Sequence, residues 1–212
     1  MSRTISIKAM GVSVVTAIVV GALGGYSLTQ KPGSQLGIYP VKLTPCNENK
    51  PGCKDEYELL VEIEDNGKKC KDKQHNGCML FEQDEVGLIK FYLDGSKYKT
   101  KSCKNAQEVI TKIELATAGT DNKGDFDADL DDWISEYAFS GVQDDGVVYE
   151  EEPLGLARSQ VFLVNKNSHD IADGTKQFWY RVTVTACPKN DHPVDGPWVS
   201  DPRGDNKGTN YN

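Results

Sequence analysis

Beyond its first thirty residues the sequence holds no long hydrophobic run, and nowhere does it carry the motifs on which the common enzyme chemistries rest. HExxH, GxSxG, the P-loop and GxGxxG are all missing. Their absence removes zincin-type proteases, hydrolases with a nucleophile elbow and the usual nucleotide-binding folds. Histidine is scarce: His75, His169 and His192 each sit beside turn residues and belong to no metal-ligand spacing. Together these gaps argue that the chain is not an enzyme, with a hydrolase of unfamiliar type as one alternative.

Positive charge is also in short supply. The 24 Lys and Arg face 32 Asp and Glu, for a formal net charge of −8. Arg3 and Lys8 are the only charges in the first 24 residues, so the remainder of the chain stands at −10. Such a domain repels polyanions, and nucleic acid is excluded as a partner because its binding energy comes largely from cations that neutralise phosphates. With 26% charged and 38% hydrophobic residues in 212, the chain reads as a folded, turn-rich protein with one core of ordinary size.

The features that are present begin with Ala9–Gln30, 22 residues without a charge, preceded by Arg3 and Lys8. As a helix the segment would reach roughly 30 Å, the thickness of a bilayer's hydrocarbon core. It also fits a signal peptide, with Ala22-Leu23-Gly24 as a small-x-small cleavage site. Either way the remainder is exported. If uncleaved, the segment holds the chain in the membrane, with Gly21 and Gly25 forming a GxxxG face for close helix packing.

Six cysteines lie beyond it: Cys46, Cys53, Cys70, Cys78, Cys103 and Cys187. An even count in an exported chain points to disulfides. The preferred pairing is Cys46 with Cys53, Cys70 with Cys78, and Cys103 with Cys187, because the first two close short turn-rich loops and the last joins the ends of two expected strands. A zinc site at Cys70, His75 and Cys78 has a spacing that matches no usual structural pattern.

Period-2 alternation then dominates. It runs through Tyr57, Leu59, Val61 and Ile63, and again through Ile89, Phe91 and Leu93 to Asp94-Gly95, a strong two-residue hairpin signal. It resumes at Val109, Ile113 and Leu115, and at Phe178, Tyr180, Val182, Val184 and Ala186, while Val161–Val164 is apolar on both faces. Trp133, Trp179 and Trp198, with Phe178 and Tyr180, are expected to fill a core rather than to form a binding surface. One short helix is expected over Leu130–Ala138, capped by Asp129, with Asp132 in its first turn and Gly141 beyond its end.

The expected fold is therefore mostly β: an antiparallel β-sandwich, immunoglobulin-like in architecture, with one short helix and a preceding N-terminal hydrophobic helix. Residues 1–30 form the signal peptide or signal anchor and 31–54 an extended, Pro- and Gly-rich linker. The sandwich follows over 55–188, then an irregular tail over 189–212.

Charge is segregated along the chain, with twelve acids against Lys123 alone between Asp121 and Glu152, while Lys68–Lys104 is locally basic. Asp125, Asp127, Asp129, Asp131 and Glu136 fall at positions 1, 3, 5, 7 and 12 of a twelve-residue window, the spacing of an EF-hand calcium loop. Leu130 stands where that loop needs Gly, so the alternatives are a looser calcium site and a solvated acidic segment. Calcium is the one cofactor the sequence leads one to expect. The leading functional expectation is a non-enzymatic β-sandwich, membrane-anchored or secreted, on the periplasmic or cell-surface side of a bacterial-type envelope. It would act through contacts with other envelope or membrane proteins, as an accessory subunit or a surface binding module. A calcium-dependent adhesion or ligand-binding domain using residues 121–136 is the other alternative.

Overall fold

The computed structural model describes residues 16–18, 27–29, 34–46, 58–64, 68–70, 77–93, 108–119, 123–150, 160–186, 197–200 and 202–208. The chain divides into two units, Met1–Ser34 and Gln35–Asn212. In the first, strand β1 (Thr16–Ile18) pairs antiparallel with β2 (Ser27–Thr29), Thr16 opposite Thr29. The hydrophobic helix expected over Ala9–Gln30 is not found among the described residues, and no described helix is long and apolar enough to cross a membrane. β1 contains Thr16 and Ile18, β-branched residue types of high strand propensity. Gly21 and Gly25 lie outside the described residues.

The second unit is mostly β, as expected. Its strands are β3 (Gln35–Pro45), β4 (Leu59–Ile63), β5 (Met79–Phe81), β6 (Glu85–Leu93), β7 (Glu108–Ala118) and β8 (Gly124–Asp125), followed by β9 (Val147–Glu150), β10 (Gln160–Asn165), β11 (Lys176–Ala186), β12 (Trp198–Ser200) and β13 (Arg203–Asn206). They form two sheets in a sandwich-like arrangement. The first runs β10-β6-β3-β4; the second runs β5-β13-β11-β7-β8, with β12 also on β11 and β9 on β7.

Alternation decides which side chains meet between the sheets. Tyr39, Val41 and Leu43 of β3, Leu59, Val61 and Ile63 of β4, and Ile89, Phe91 and Leu93 of β6 are buried from one side. Phe178, Tyr180, Val182 and Val184 of β11 meet them from the other, with the Phe91 and Tyr180 rings 5.6 Å apart. Fully burying each such side chain contributes about 1.5–3 kcal/mol before chain entropy is counted. Trp179 is buried as well, while Trp133 and Trp198 pack against the core's margin. Phe178 and Tyr180 therefore serve the interior, as the alternation implies, while Trp179 points the other way and is covered against Gly124.

Four sequence expectations need correction. The sheets are mixed rather than wholly antiparallel: β3 runs parallel to β6 over Gln35–Leu43, and β5 runs parallel to β13. Parallel neighbours require a crossover. The chain supplies one by leaving β4 for the opposite sheet at β5 and returning through a tight turn in which Asp84 has φ 58°.

Residues 31–54 are not simply a linker, because they contain β3, a central strand of the first sheet. Nor are residues 189–212 an irregular tail. Strands β12 and β13 lie end to end along one edge of β11, with the Tyr180 N–H donating to the Pro202 carbonyl between them. Gly204 is the residue that allows it, since a Cβ there would lie 2.1 Å from the Phe178 ring. The sandwich thus reaches from Gln35 to at least Gly208.

The expected helix shrinks to one wide turn, Ile134–Ala138, closed by Phe139 N–H donating to Ile134 O at 2.8 Å. Asp129 does not cap it; the cap position is Trp133, which makes no side-chain cap bond. Burial of Ile134 and Ala138 in the core positions the turn instead. Gly141, at φ 74°, follows it as expected.

Cys70 and Cys78 form the expected disulfide, with Cα atoms 5.4 Å apart. It closes the loop before β5 and contributes about 2–3 kcal/mol on the chain-entropy model. Cys46 is disulfide-bonded too. Cys53, Cys103, Cys187 and the Asp94-Gly95 hairpin lie outside the described residues.

Candidate docking face

Strand alternation that buries one side of the first sheet must present the other. On β3 the outward residues are Leu36, Ile38 and Pro40, then Lys42 and Thr44; on β6 they are Val86 and Leu88, then Lys90 and Tyr92; on β10 they are Phe162 and Val164. The register aligns them in rows across the strands. Leu36 lies beside Val86, and Ile38 beside Leu88, which faces Val164. Pro40 lies beside Lys90, which faces Phe162.

Leu36 is 47% exposed and Ile38 51%, the two most exposed large apolar side chains among the described residues. Val86, Leu88, Phe162 and Val164 are partly exposed around them. A contiguous apolar area of this kind, rimmed by polar groups, is a candidate interaction surface. Lys42 and Glu62 pair at 3.6 Å along the rim, and the Lys90 ammonium sits 5.2 Å from the Tyr92 ring centre. The second sheet differs. Its outward residues include Lys112 and Glu114, which pair at 2.9 Å, and Arg181, stacked 3.9 Å over the Phe126 ring. Among the described residues the outer side of the first sheet is thus apolar and open, while that of the second carries charged pairs.

A polar clasp holds one end of this sheet to its partner. Asn165 of β10 and Asn206 of β13 exchange two amide hydrogen bonds, 2.7 and 3.2 Å. The Asn165 carbonyl oxygen also accepts from the Asn167 N–H at 2.9 Å. The Asn167 side chain in turn donates to Glu82 O at 2.8 Å and accepts from Gly208 N–H at 2.9 Å. All three amides are fully buried, and with their hydrogen bonds made they specify the pairing of the two sheets.

Next to the clasp His169 is 2% exposed, its Nε2 3.2 Å from Gly174 O, and its Nδ1 has no hydrogen-bond partner among the described residues. Burial pushes its pKa below the ordinary histidine value and Lys176 adds to the push, while the Gly174 carbonyl, Asp173 and Asp170 oppose it. The folded protein therefore keeps His169 neutral, whereas the unfolded chain takes up the proton near pH ~6.5. Stability from this site is complete above that pH and is lost as pH falls towards the lower folded-state value. In urea titrations at pH 7.5 and pH 5, the His169→Phe variant is expected to lose less stability on acidification than wild type. Parallel losses would contradict this reading.

The acidic residues singled out by the calcium-loop spacing take separate places. Asp125 belongs to β8, where its carboxylate accepts from the Asp127 N–H at 3.2 Å. Asp127, Asp129 and Asp131 are exposed in the segment after it, and Glu136 is exposed on the wide turn. Among the described residues no three of these carboxylates converge within 4.8 Å; the one group of metal-ligating types that does is Cys70, Cys78 and Asp205. There the two sulfurs are bonded to each other, which removes them as thiolate ligands.

The candidate docking face is half legible in the sequence. Apolar residues on both faces of Val161–Val164 signal a strand whose outer side is not simply solvated. Leu36, Ile38 and Pro40 read as linker because Gly37, Pro40 and Pro45 interrupt the pattern, although Tyr39, Val41 and Leu43 alternate between them.

Comparison of the chain with known proteins gave no matching family model, no matching curated protein and no matching solved structure.

Proposed function

We propose that this chain is a non-enzymatic β-sandwich, exported or membrane-anchored in a bacterial-type envelope. It acts through protein–protein contacts, as an accessory subunit of an envelope assembly or as a surface binding module. The layering of two sheets is immunoglobulin-like in general build, and the apolar outer side of the first sheet is the contact surface. That face is the observation that carries the reading: Leu36, Ile38 and Leu88 form an open apolar centre in a chain otherwise rich in charge. The uncharged Ala9–Gln30 stretch and the disulfide bonding of Cys70, Cys78 and Cys46 support the compartment.

A photoreactive side chain at position 38, carried by the full chain in its native envelope, tests the contact. The expected result is a covalent adduct with one or a few envelope proteins, reduced when the label is moved to exposed Asp129. Equal labelling from both positions would count against a dedicated docking face.

A further inference from the structure

We propose that β10 is a self-pairing edge, through which two copies of this chain join their first sheets into one continuous sheet. β10 is the terminal strand of that sheet, and among the described residues no strand lies beyond it. Among the described residues its far side is covered at its end alone, where Asn165 meets Phe139 and the Lys166 N–H donates to Ala138 O at 2.6 Å. Among the described residues, Gln160–Val164 is left as an open edge.

Natural sheets protect such edges with charge, proline, bulges or a covering segment. Two other edges among the described residues obey that rule. β4 carries Glu62 and meets the second sheet through the Glu58–Val199 bridge, while β5 is bridged by Lys69 beside the Cys70–Cys78 disulfide. β10 reads Gln-Val-Phe-Leu-Val-Asn, with no charge, no proline and no glycine. Nothing in that sequence opposes another strand.

Its own copy is the occupant that fits. Facing residues of an antiparallel pair must point to the same side of the sheet, so a twofold axis through the pair needs a register centred on a residue. The register centred on Phe162 uses the five uncovered residues and stops short of the Phe139 cap. It sets Val161 against Leu163 of the partner on the core side. On the outer side it sets Phe162 against Phe162, an aromatic cross-strand pair. The outer apolar rows of the two copies then join, doubling the docking face. The inference deepens the proposed function in that sense, but it stands on the edge strand itself.

Sedimentation of the full chain in density-matched detergent tests it, with Phe162→Glu and Phe162→Lys as a charge-matched pair. Position 162 is partly exposed and faces outward, so both variants should fold, which unchanged near-ultraviolet circular dichroism would verify. Wild type is expected to dimerise. Each variant alone should associate roughly 30-fold more weakly or worse, as for loss of a central interface residue. A mixture of the two should recover a one-to-one dimer. A monomeric wild type, or association unchanged in both variants, overturns the proposal. If position 38 still captures envelope proteins under those conditions, the docking face stands without the self-pairing.

Discussion

Replacing Gly204 with alanine is expected to destabilise the sandwich by about 3 kcal/mol, the upper end of the cost of overpacking a core. The added methyl would lie 2.1 Å from Phe178 Cζ and 2.4 Å from Cε1, and the ring has nowhere to go. Phe178 is fully buried, with Phe139 5.0 Å and Phe81 6.3 Å from its centre. Backbone movement is blocked as well, because β13 is held on one side by β11 and on the other by β5. Urea denaturation checks the magnitude. Phe178→Leu combined with Gly204→Ala should cost less than the two single changes added together, since the smaller side chain relieves the clash. Strict additivity, or a Gly204→Ala cost below about 0.5 kcal/mol, a surface-like value, would mean that residues 203–206 are not a strand of the core.

That strand shows where the sequence stops being informative. Arg203-Gly204-Asp205-Asn206 has the composition of a turn, and by local pattern it is one. Its place in the sheet comes from partners distant in the chain: the Phe178 ring that fills the space above Gly204, and Asn165, whose amide completes that of Asn206. No local rule sees a residue chosen for what it lacks. The strands of the core are legible because burial on one face leaves a period of two, which Leu59, Val61 and Ile63 display and Phe178, Tyr180, Val182 and Val184 display better. β3 carries the same period, but two prolines and a glycine speak for a linker. At Ile134–Ala138 the sequence pattern suggests a longer helix than the wide turn that forms, since acidic residues near 129–132 resemble a helix start whether or not they cap one. Of the docking face, only the apolar character of Val161–Val164 is evident from sequence. The rest depends on a parallel pairing of β3 with β6 that topology alone supplies.

Ile38→Asp should reduce recovery of envelope partners about 30-fold or more, the effect of losing a central interface residue. It should change folding stability by no more than about 0.5 kcal/mol, as for other exposed positions. The contrast is the point of the substitution. Ile38 is 51% exposed in the middle row of the face, with Leu88 beside it and Val164 beyond. A carboxylate there needs no core rearrangement, yet it puts a charge where the proposed partner would have to desolvate the face. Lys42→Ala on the rim is the matched control. Its partner Glu62 is 65% exposed, and such pairs contribute little, so recovery should fall by less than about 3-fold. Quantitative mass spectrometry of crosslinked, affinity-purified material reads both. Equal recovery with wild type and with the Ile38→Asp variant would remove this face from the interaction.

Both the proposed compartment and the covalent bracing of the sandwich rest on the chain working outside the cytoplasm. Whole-protein mass spectrometry tests that directly, on material taken from the native envelope and treated with a thiol alkylator before and after reduction. The expected result is no label before reduction and six labels after it, one for each cysteine in the sequence. Six labels before reduction, on protein recovered from the cytosol, would contradict the account.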